Sequence, residues 1–590
     1  MNRLALVLLF LVPLWAAETV KEHSVVVDAS DATYTIDVAG TMDPENIAIE
    51  LENLGDASVV SPRVTVNGKF DWYDVKSIAG EVTRGLTTDE EKAMALFQWV
   101  LYKRYQRSPH DRSALHPVRA MNGYGYGICG HTSAWMKALW TVAGLRARVQ
   151  ELWGHTVSEV FYDGAWHMLD ANVKVFYLNR DNRTIASLAE LEKDRTLIER
   201  TIHSHDPWVR QPDTREHNEE LVQYLVTAKD NFEEHAYDGE IEKNHTMAMS
   251  LKPGEKLVRW WKPVLGKFEG RDKRPEVPST YANGQLIWEP DLKRVDLKGY
   301  IHAMDNVATR GEGGRGLPVH IADLQDERHT RPSRFTIPIH SSYPIIGGRL
   351  WCTLVKEGNS SLDQAAIFYG EPGWGGGNLY TFQWGKGSRD VEFDLDPNIM
   401  RSGVVYNYTI GFNLRGNAKS DPPSQAGLER VRVVTDLQVS PHSLPALSLG
   451  KNLVQFRDES AAGRRVRITH RWREVHDRRP PAAITVASTP RDGGEVQALA
   501  PVLKWNAPTN NASGEIVDYQ VMVSLRPDCR WPLSPTLHQN TGTAKTEWTV
   551  PQSFLNPGTT YYWKVRARNV HGDVGPWGSV FHFRTAAAAK

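Results

Sequence analysis

The sequence predicts a multidomain α+β protein in which a mixed helix-and-strand lobe lies between stretches of β-sandwich material. Three observations carry this. Apolar residues recur at helical spacing at Ala93, Leu96, Phe97, Val100 and Leu101, and again at Trp135, Leu139, Val142 and Ala143, with three short strand-like runs after the second set. From 249 to about 445 the chain shows short apolar runs broken by glycine and proline, the texture of stacked sheets. From 555 to 569 it alternates inward and outward residues, beyond a linker marked by Pro480-Pro481. A chain of 590 residues far exceeds one core, so about three to five domains are expected. Hydrophobic content of 41% and charged content of 24% are ordinary globular values, and a net charge of -1 leaves no electrostatic footprint for nucleic acid or an anionic membrane. Neither is expected as a partner.

The elements follow in order. Asn2-Arg3, an apolar run over 4–14 and Trp15-Ala16-Ala17 before Glu18 read as a secretory signal peptide, 1–17. The run is short for a span, and no other stretch approaches about 18 apolar residues, so no membrane span is expected after cleavage. The mature chain is therefore expected to be secreted, periplasmic or held at the cell surface. Residues 18–74 alternate β-branched positions (Val25, Val27, Thr33, Ile36, Val38, then Ile47, Ile49, Leu51) with an Asn67-Gly68 turn, which predicts a small N-terminal β domain.

A lobe over 75–235 opens with Thr88-Asp89-Glu90-Glu91, a capping box ahead of the first helical stripe. Polar amphipathic helices over 187–200 and 214–229 finish or flank it. Residues 236–478 carry the runs 257–261, 285–288, 335–339 and 404–413 and are expected to form one or two β-sandwiches. Glu312-Gly313-Gly314-Arg315-Gly316 and Gly373-Trp374-Gly375-Gly376-Gly377 read as loops, and without a following Lys-Ser or Lys-Thr they do not make a phosphate loop. A last sandwich covers 479–586, before a frayed alanine tail.

The chemistry concentrates in the lobe. Tyr126-Gly127-Ile128-Cys129-Gly130-His131-Thr132 puts a thiol at the start of the second helical run, with Gly125 and Gly127 suited to a tight approach and Gly144 ending the helix. Unpaired N–H groups and the positive end of the macrodipole favour a thiolate there, and such settings bring a cysteine pKa from about 8.5 into the range of about 3.5 to 7.5. Residues 146–153, 155–162 and 165–172 then read as three strands, with Asp163-Gly164 as a two-residue hairpin turn. If Tyr162 pairs with Ala165, Val157 falls opposite Asp170, so His155 and Asp170 share a face as diagonal neighbours with Cβ atoms roughly 7 to 8 Å apart or less. His167 points the other way. A lone cysteine is more often an inert small hydrophobe, and a lone strand histidine is usually a satisfied one. A helix start at the thiol together with the hairpin register favours a nucleophile, base and orienter set.

These residues resemble the transglutaminase-like superfamily of papain-like fold: Gly-x-Cys at the head of a helix, then Ala143-Gly144-Leu145-Arg146-Ala147-Arg148, a histidine strand and a Trp…Asp strand, over roughly 75–200. The resemblance implies Cys129 as nucleophile, His155 as general base and Asp170 as the orienting group. The Cys129 N–H is one natural oxyanion donor, with Asn122 a candidate for the second. The C-terminal unit resembles a fibronectin type III domain over about 482–586, with Trp505 as its core tryptophan and Tyr561 as its tyrosine corner.

Of the three cysteines, an odd number that leaves at least one thiol free, Cys352 and Cys529 could pair or stay as two buried thiols. No Cys-x-x-Cys or His-Glu-x-x-His is present, so no metal site is expected, and the chemistry requires no cofactor. The 20 tryptophans suit sandwich cores first; carbohydrate contact by β modules, at Trp374 or Trp577, is the weaker reading. Asn182, Asn244, Asn359, Asn407 and Asn511 head glycosylation sequons that matter only in a glycosylating host. The expected function is an exported cysteine-dependent acyl-transfer enzyme acting on peptide or carboxamide bonds in a protein, peptide or cell-surface polymer. Water as acceptor would make it a protease or amidase, the favoured outcome, and a lysine amine would make it a cross-linker. The alternative is an extracellular binding or structural protein in which the lobe is vestigial and the β modules hold a polymer or partner.

Overall fold

The computed structural model describes residues 19–69, 71–152, 154–200, 238–269, 281–309, 316–324, 333–370, 377–383, 385–461, 463–508, 513–534 and 543–588. The signal-peptide segment, the helix expected over 214–229, nearly all of both glycine-rich loops, Trp374 and Asn511 lie outside the described residues.

Most of the protein is β-sheet, and the first strands show why it cannot be cut simply into consecutive pieces. Val20–Val27 pairs antiparallel with Val466–Arg473, and Asp31–Val38 pairs with Gly450–Arg457, which also takes Arg63–Val66 on its other edge. Glu45–Asn53 lies between Val466–Arg473 and Glu255–Trp260. The segment expected as a self-contained domain at 18–74 is therefore interleaved with strands some 400 residues away in sequence. Alternation identifies a strand and its buried face but carries no information about its partner. One apolar core accordingly runs through Ile36, Leu51, Leu257, Leu286, Leu350 and Ile468.

The sheet continues through Ala282–Trp288 and Ser424–Val439 to the long strand Ser333–Lys356. This strand shifts register between His340 and Ile345. Its first half pairs with Val405–Asn417, and its second half lies between Ser424–Val439 and Gly387–Asp394, so it passes from one sheet neighbourhood to the next.

The mixed lobe follows its sequence pattern closely. The helix Asp89–Lys103 carries the expected capping box, with Glu91 N–H donating to Thr88 Oγ1 at 3.2 Å and Thr88 N–H to Glu91 Oε2 at 3.3 Å, and it buries Ala93, Leu96, Phe97, Val100 and Leu101. The helix Cys129–Val142 buries Trp135, Trp140 and Leu139, whereas Val142 is exposed at its last turn. Arg146–Leu152, His155–Tyr162 and Ala165–Met168 form a three-stranded sheet with Tyr162 opposite Ala165. Positive φ values of 48° at Asp163 and 81° at Gly164 make the turn that matches strand twist. The helix expected over 187–200 is two pieces, Leu188–Lys193 and Thr196–Glu199, because Asp194 leaves helical geometry and starts a new turn.

The C-terminal unit is a two-sheet sandwich built on Val502–Trp505, Ile516–Ser524, Thr560–Asn569 and Phe581–Thr585. Trp505 and Trp563 are buried together, and Tyr561 Oη accepts the Asn556 N–H at 2.7 Å. It is not a loose appendage. Its core is continuous with that of the lobe, and Arg526 bonds Glu91 at 2.7 Å while Asn556 Nδ2 bonds the Asp181 carbonyl at 2.6 Å. Among the described residues, no helix is long and apolar enough to cross a membrane.

Candidate active site

The chain enters the cysteine helix through a closely fitted turn. Residues Ala120–Tyr124 form one wide helical turn, closed by Gly125 N–H donating to the Ala120 carbonyl at 2.8 Å, and Gly125 sits in the left-handed region at φ 70°. Gly127 is required by contact: a Cβ there would lie 2.3 Å from the Trp135 ring. Cys129 then takes the first helical position, where its own N–H has no carbonyl one turn earlier to bond.

The hairpin supplies the other two groups. His155 opens its strand, and the third strand ends at Met168, short of the expected 172. Asp170 leaves the ladder there and bridges back to Val175. Even so, the expected juxtaposition forms: His155 Nε2 donates to Asp170 Oδ2 at 2.6 Å. Asp170 Oδ1 accepts N–H groups from Asn172 at 2.8 Å and Val173 at 3.1 Å, so the carboxylate is fixed from both ends. The imidazole is also in hydrogen-bonding contact with the Cys129 thiol. His155 and Asp170 are buried, at 8% and 1% exposure, while Cys129 stays partly accessible.

Electrostatics follow from this order. Burial alone raises the Cys129 pKa, but the hydrogen bond and charge of His155, with help from the Gly130 N–H, bring it below the ordinary thiol value. Burial opposes a charged imidazole at His155, yet Asp170 by charge and hydrogen bond, and then Cys129, raise it to about 10. Both shifts run toward a thiolate beside an imidazolium. The other two thiols are unpaired and buried, and desolvation pushes both up to about 12. Of the two readings left open for Cys352 and Cys529, two buried thiols is the one observed.

Asn122 does not fit the oxyanion role considered for it. Its Nδ2 donates to the carbonyls of Trp72 at 2.8 Å and Val118 at 2.9 Å, which uses both amide hydrogens. Its own carbonyl accepts the Ser440 N–H at 2.8 Å, making Asn122 a structural tie to the middle β region. A polar residue near the nucleophile invited the assignment, and its bonding partners decide against it. His167 lies off the site as expected, with its ring nitrogens against the Ile185 carbonyl at 2.7 Å and the Tyr162 carbonyl at 3.2 Å. Trp577, a candidate sugar platform, has Lys564 and Arg566 over its ring at 5.0 and 4.5 Å, so cations already occupy the stacking surface.

Sequence reasoning missed the supports of the cysteine approach. Tyr126 Oη donates to the buried Glu269 at 2.8 Å, and Gln438 Nε2 bonds both Tyr126 Oη at 3.0 Å and the Gly123 carbonyl at 3.2 Å. Tyr124 Oη and Tyr406 Oη both donate to Asp111 Oδ2, at 2.7 and 2.6 Å. Glu269, Tyr406 and Gln438 belong to the middle β region, and no local pattern links them to Cys129.

A family model of the transglutaminase-like superfamily matches residues 76–171, and a model described as the N-terminal immunoglobulin domain of Rha78A-like proteins matches residues 489–589. The protein thus contains a transglutaminase-like domain and an immunoglobulin-like C-terminal sandwich. No match is found among curated proteins. Solved structures with some likeness include an alpha-L-rhamnosidase from Dictyoglumus thermophilum, at 20% identity over 17% of this chain and 12% of that one, with a TM-score of 0.14. A beta-1,2-glucanase from Parabacteroides distasonis matches at 12% identity over 43% of this chain and 31% of that one, with a TM-score of 0.12. The chicken CNTN1 FN1–FN3 domains match at 11% identity over 42% and 65%, with a TM-score of 0.14. The chain covers less than two thirds of each, and at these scores the likenesses carry no assignment.

Proposed function

We propose that this protein is an exported cysteine-dependent acyl-transfer enzyme that cleaves peptide or carboxamide bonds with Cys129 as nucleophile, His155 as acid and base, and Asp170 as the orienting carboxylate. One observation carries the reading: a partly accessible thiol with a lowered pKa touches an imidazole that a buried carboxylate holds at 2.6 Å. The C-terminal sandwich serves as an accessory module, and we read its Tyr561 bond to the Asn556 N–H as a fibronectin type III feature.

The chemistry balances with these groups alone. The Cys129 thiolate attacks the carbonyl carbon, the C–S bond forms, and the carbonyl π pair moves to oxygen, where the helix-start N–H of Cys129 stabilises it. As the intermediate collapses, the C–N bond breaks and His155 gives its proton to the departing amine. Water then attacks the thioester, His155 takes its proton, and the acid product leaves with the thiolate restored. An amine acceptor in place of water gives a cross-link by the same steps. Hydrolysis is favoured here on resemblance to bacterial members of the superfamily. The substrate proposed is a protein, peptide or cell-surface polymer outside the cytoplasm.

A thiol-reactive probe at neutral pH should label Cys129 ahead of Cys352 and Cys529, and Cys129→Ala should remove that label. Equal labelling of all three would instead favour a binding protein with a vestigial lobe. Mass spectrometry of a protein or cell-wall digest, read for released amine against new cross-links, separates hydrolysis from transamidation.

A further inference from the structure

The helix Asp89–Lys103 ends at Arg104, where the backbone turns extended (φ −129°, ψ 157°) and runs into the short strand Tyr105–Gln106. That strand lies parallel to Tyr126–Gly127, the last residues before the nucleophile turn. Arg104 is 2% exposed, an expensive place for a guanidinium unless its N–H groups are met. They are met by two segments at once. Nε donates to the Ala171 carbonyl at 3.0 Å, and Nη2 donates to the Asn172 carbonyl. Nη1 donates to the Gly127 carbonyl at 3.2 Å and to Gln106 Oε1 at 2.6 Å.

These acceptors are placed where they matter for the proposed site. Gly127 is two residues before Cys129, and Ala171 and Asn172 directly follow Asp170. The Asn172 N–H is also one of the donors holding Asp170 Oδ1. A planar fork with fixed N–H directions sets the distance and angle between its acceptors, which a flexible point-charge ammonium does not do. We infer that Arg104 is a positioning residue for the Cys129–His155–Asp170 set, tying the approach to the thiol and the loop of the orienting carboxylate into one rigid frame. The inference rests on the function proposed above. Arg104 touches no reacting atom and acts through the segments it joins. Without it, the Asp170 loop and the Gly127 segment move independently, and displacements near 1 Å at such sites cost about 100-fold.

The test uses the full chain and a small alkylating probe, with labelling of Cys129 followed against pH. Wild type is the control for the site itself: if its Cys129 shows no selective reactivity, the triad reading fails and the role of Arg104 with it. With wild type reactive, Arg104→Ala should label roughly 10- to 100-fold more slowly at neutral pH. The pH at which labelling rises should also move up toward the ordinary thiol range, because the groups facing His155 are Cys129 and Asp170, and a loosened Asp170 holds the imidazolium, and through it the thiolate, less well. Added guanidinium should recover part of the rate, whereas Arg104→Lys should not. A wild-type rate and profile in Arg104→Ala overturns the inference, and so does a slower rate with an unmoved profile and no rescue. Should Arg104→Ala fail to fold, Gln106→Ala removes the acceptor that steadies Nη1; an upward shift of the labelling midpoint supports the positioning role, and an unchanged profile overturns it.

Discussion

The two flanks of the candidate site are built differently. On one, His155 and Asp170 come from a single hairpin, 15 residues apart in sequence, brought together by a two-residue turn and the pleat of the strands. On the other, the turn before Cys129 is fixed by Glu269, Tyr406 and Gln438, whose bonds to Tyr126, Asp111 and Gly123 span 143 to 315 residues. The proposed base and orienter are assembled by local rules. Cys129, the proposed nucleophile, is aimed by a second structural unit, so its geometry depends on docking between lobe and β region. Stability of the lobe alone does not guarantee a competent thiol.

Substitutions sharpen this contrast, beginning with the reacting groups themselves. Cys129→Ala should abolish thiol labelling and turnover, and Asp170→Asn should lower turnover by about 10³- to 10⁴-fold while the chain still folds, because the imidazole loses its fixed tautomer. In wild type, alkylation should persist below the ordinary thiol range, while turnover should fall on the alkaline side near 10. Below that point His155 carries the proton that the departing amine takes, and above it the ring has none to give although Cys129 stays a thiolate. His155→Ala should remove turnover and move the alkylation midpoint up toward the ordinary thiol range. A stopped-flow alkylation profile and the pH dependence of turnover check both.

Next come changes on the cysteine flank. Gly127→Ala forces a methyl into the Trp135 ring and should cost about 1–3 kcal/mol in denaturant melts. Glu269→Leu leaves Tyr126 Oη without its acceptor and should cost about 1–3 kcal/mol, with slower labelling of Cys129 although the substitution lies outside the transglutaminase-like domain. Undiminished labelling in Glu269→Leu would erase the proposed dependence on docking. The smallest effect belongs to the hairpin: Gly164→Ala strains a residue at φ 81° and should cost about 1 kcal/mol while leaving the labelling profile in place.

How much of this was legible beforehand differs in the same way between the flanks. The capping box, the apolar faces of both helices, the Asp163-Gly164 turn and the approach of His155 to Asp170 all follow from spacings of a few residues. The point where the third strand ends did not, since Asp170 leaves the ladder to bond Asn172 and Val173 rather than continue the alternation. Arg104 gave no signal beyond being a cation after a helix, a pattern that usually marks a solvated end. Asn122 was read wrongly because residue type near a cysteine says nothing about which carbonyls compete for its amide.

By itself the sequence determined the local elements, the chemical identity of the three polar groups and the hairpin register, because backbone propensity, side-chain period and turn type act over short distances. Only the tertiary structure decided which strands close the N-terminal sheet, that the C-terminal sandwich shares a core with the lobe, and that a buried guanidinium and a distant carboxylate secure the approach to Cys129. Those outcomes rest on burial of apolar faces and satisfaction of polar groups between segments hundreds of residues apart, and such pairings leave no periodic trace in the chain.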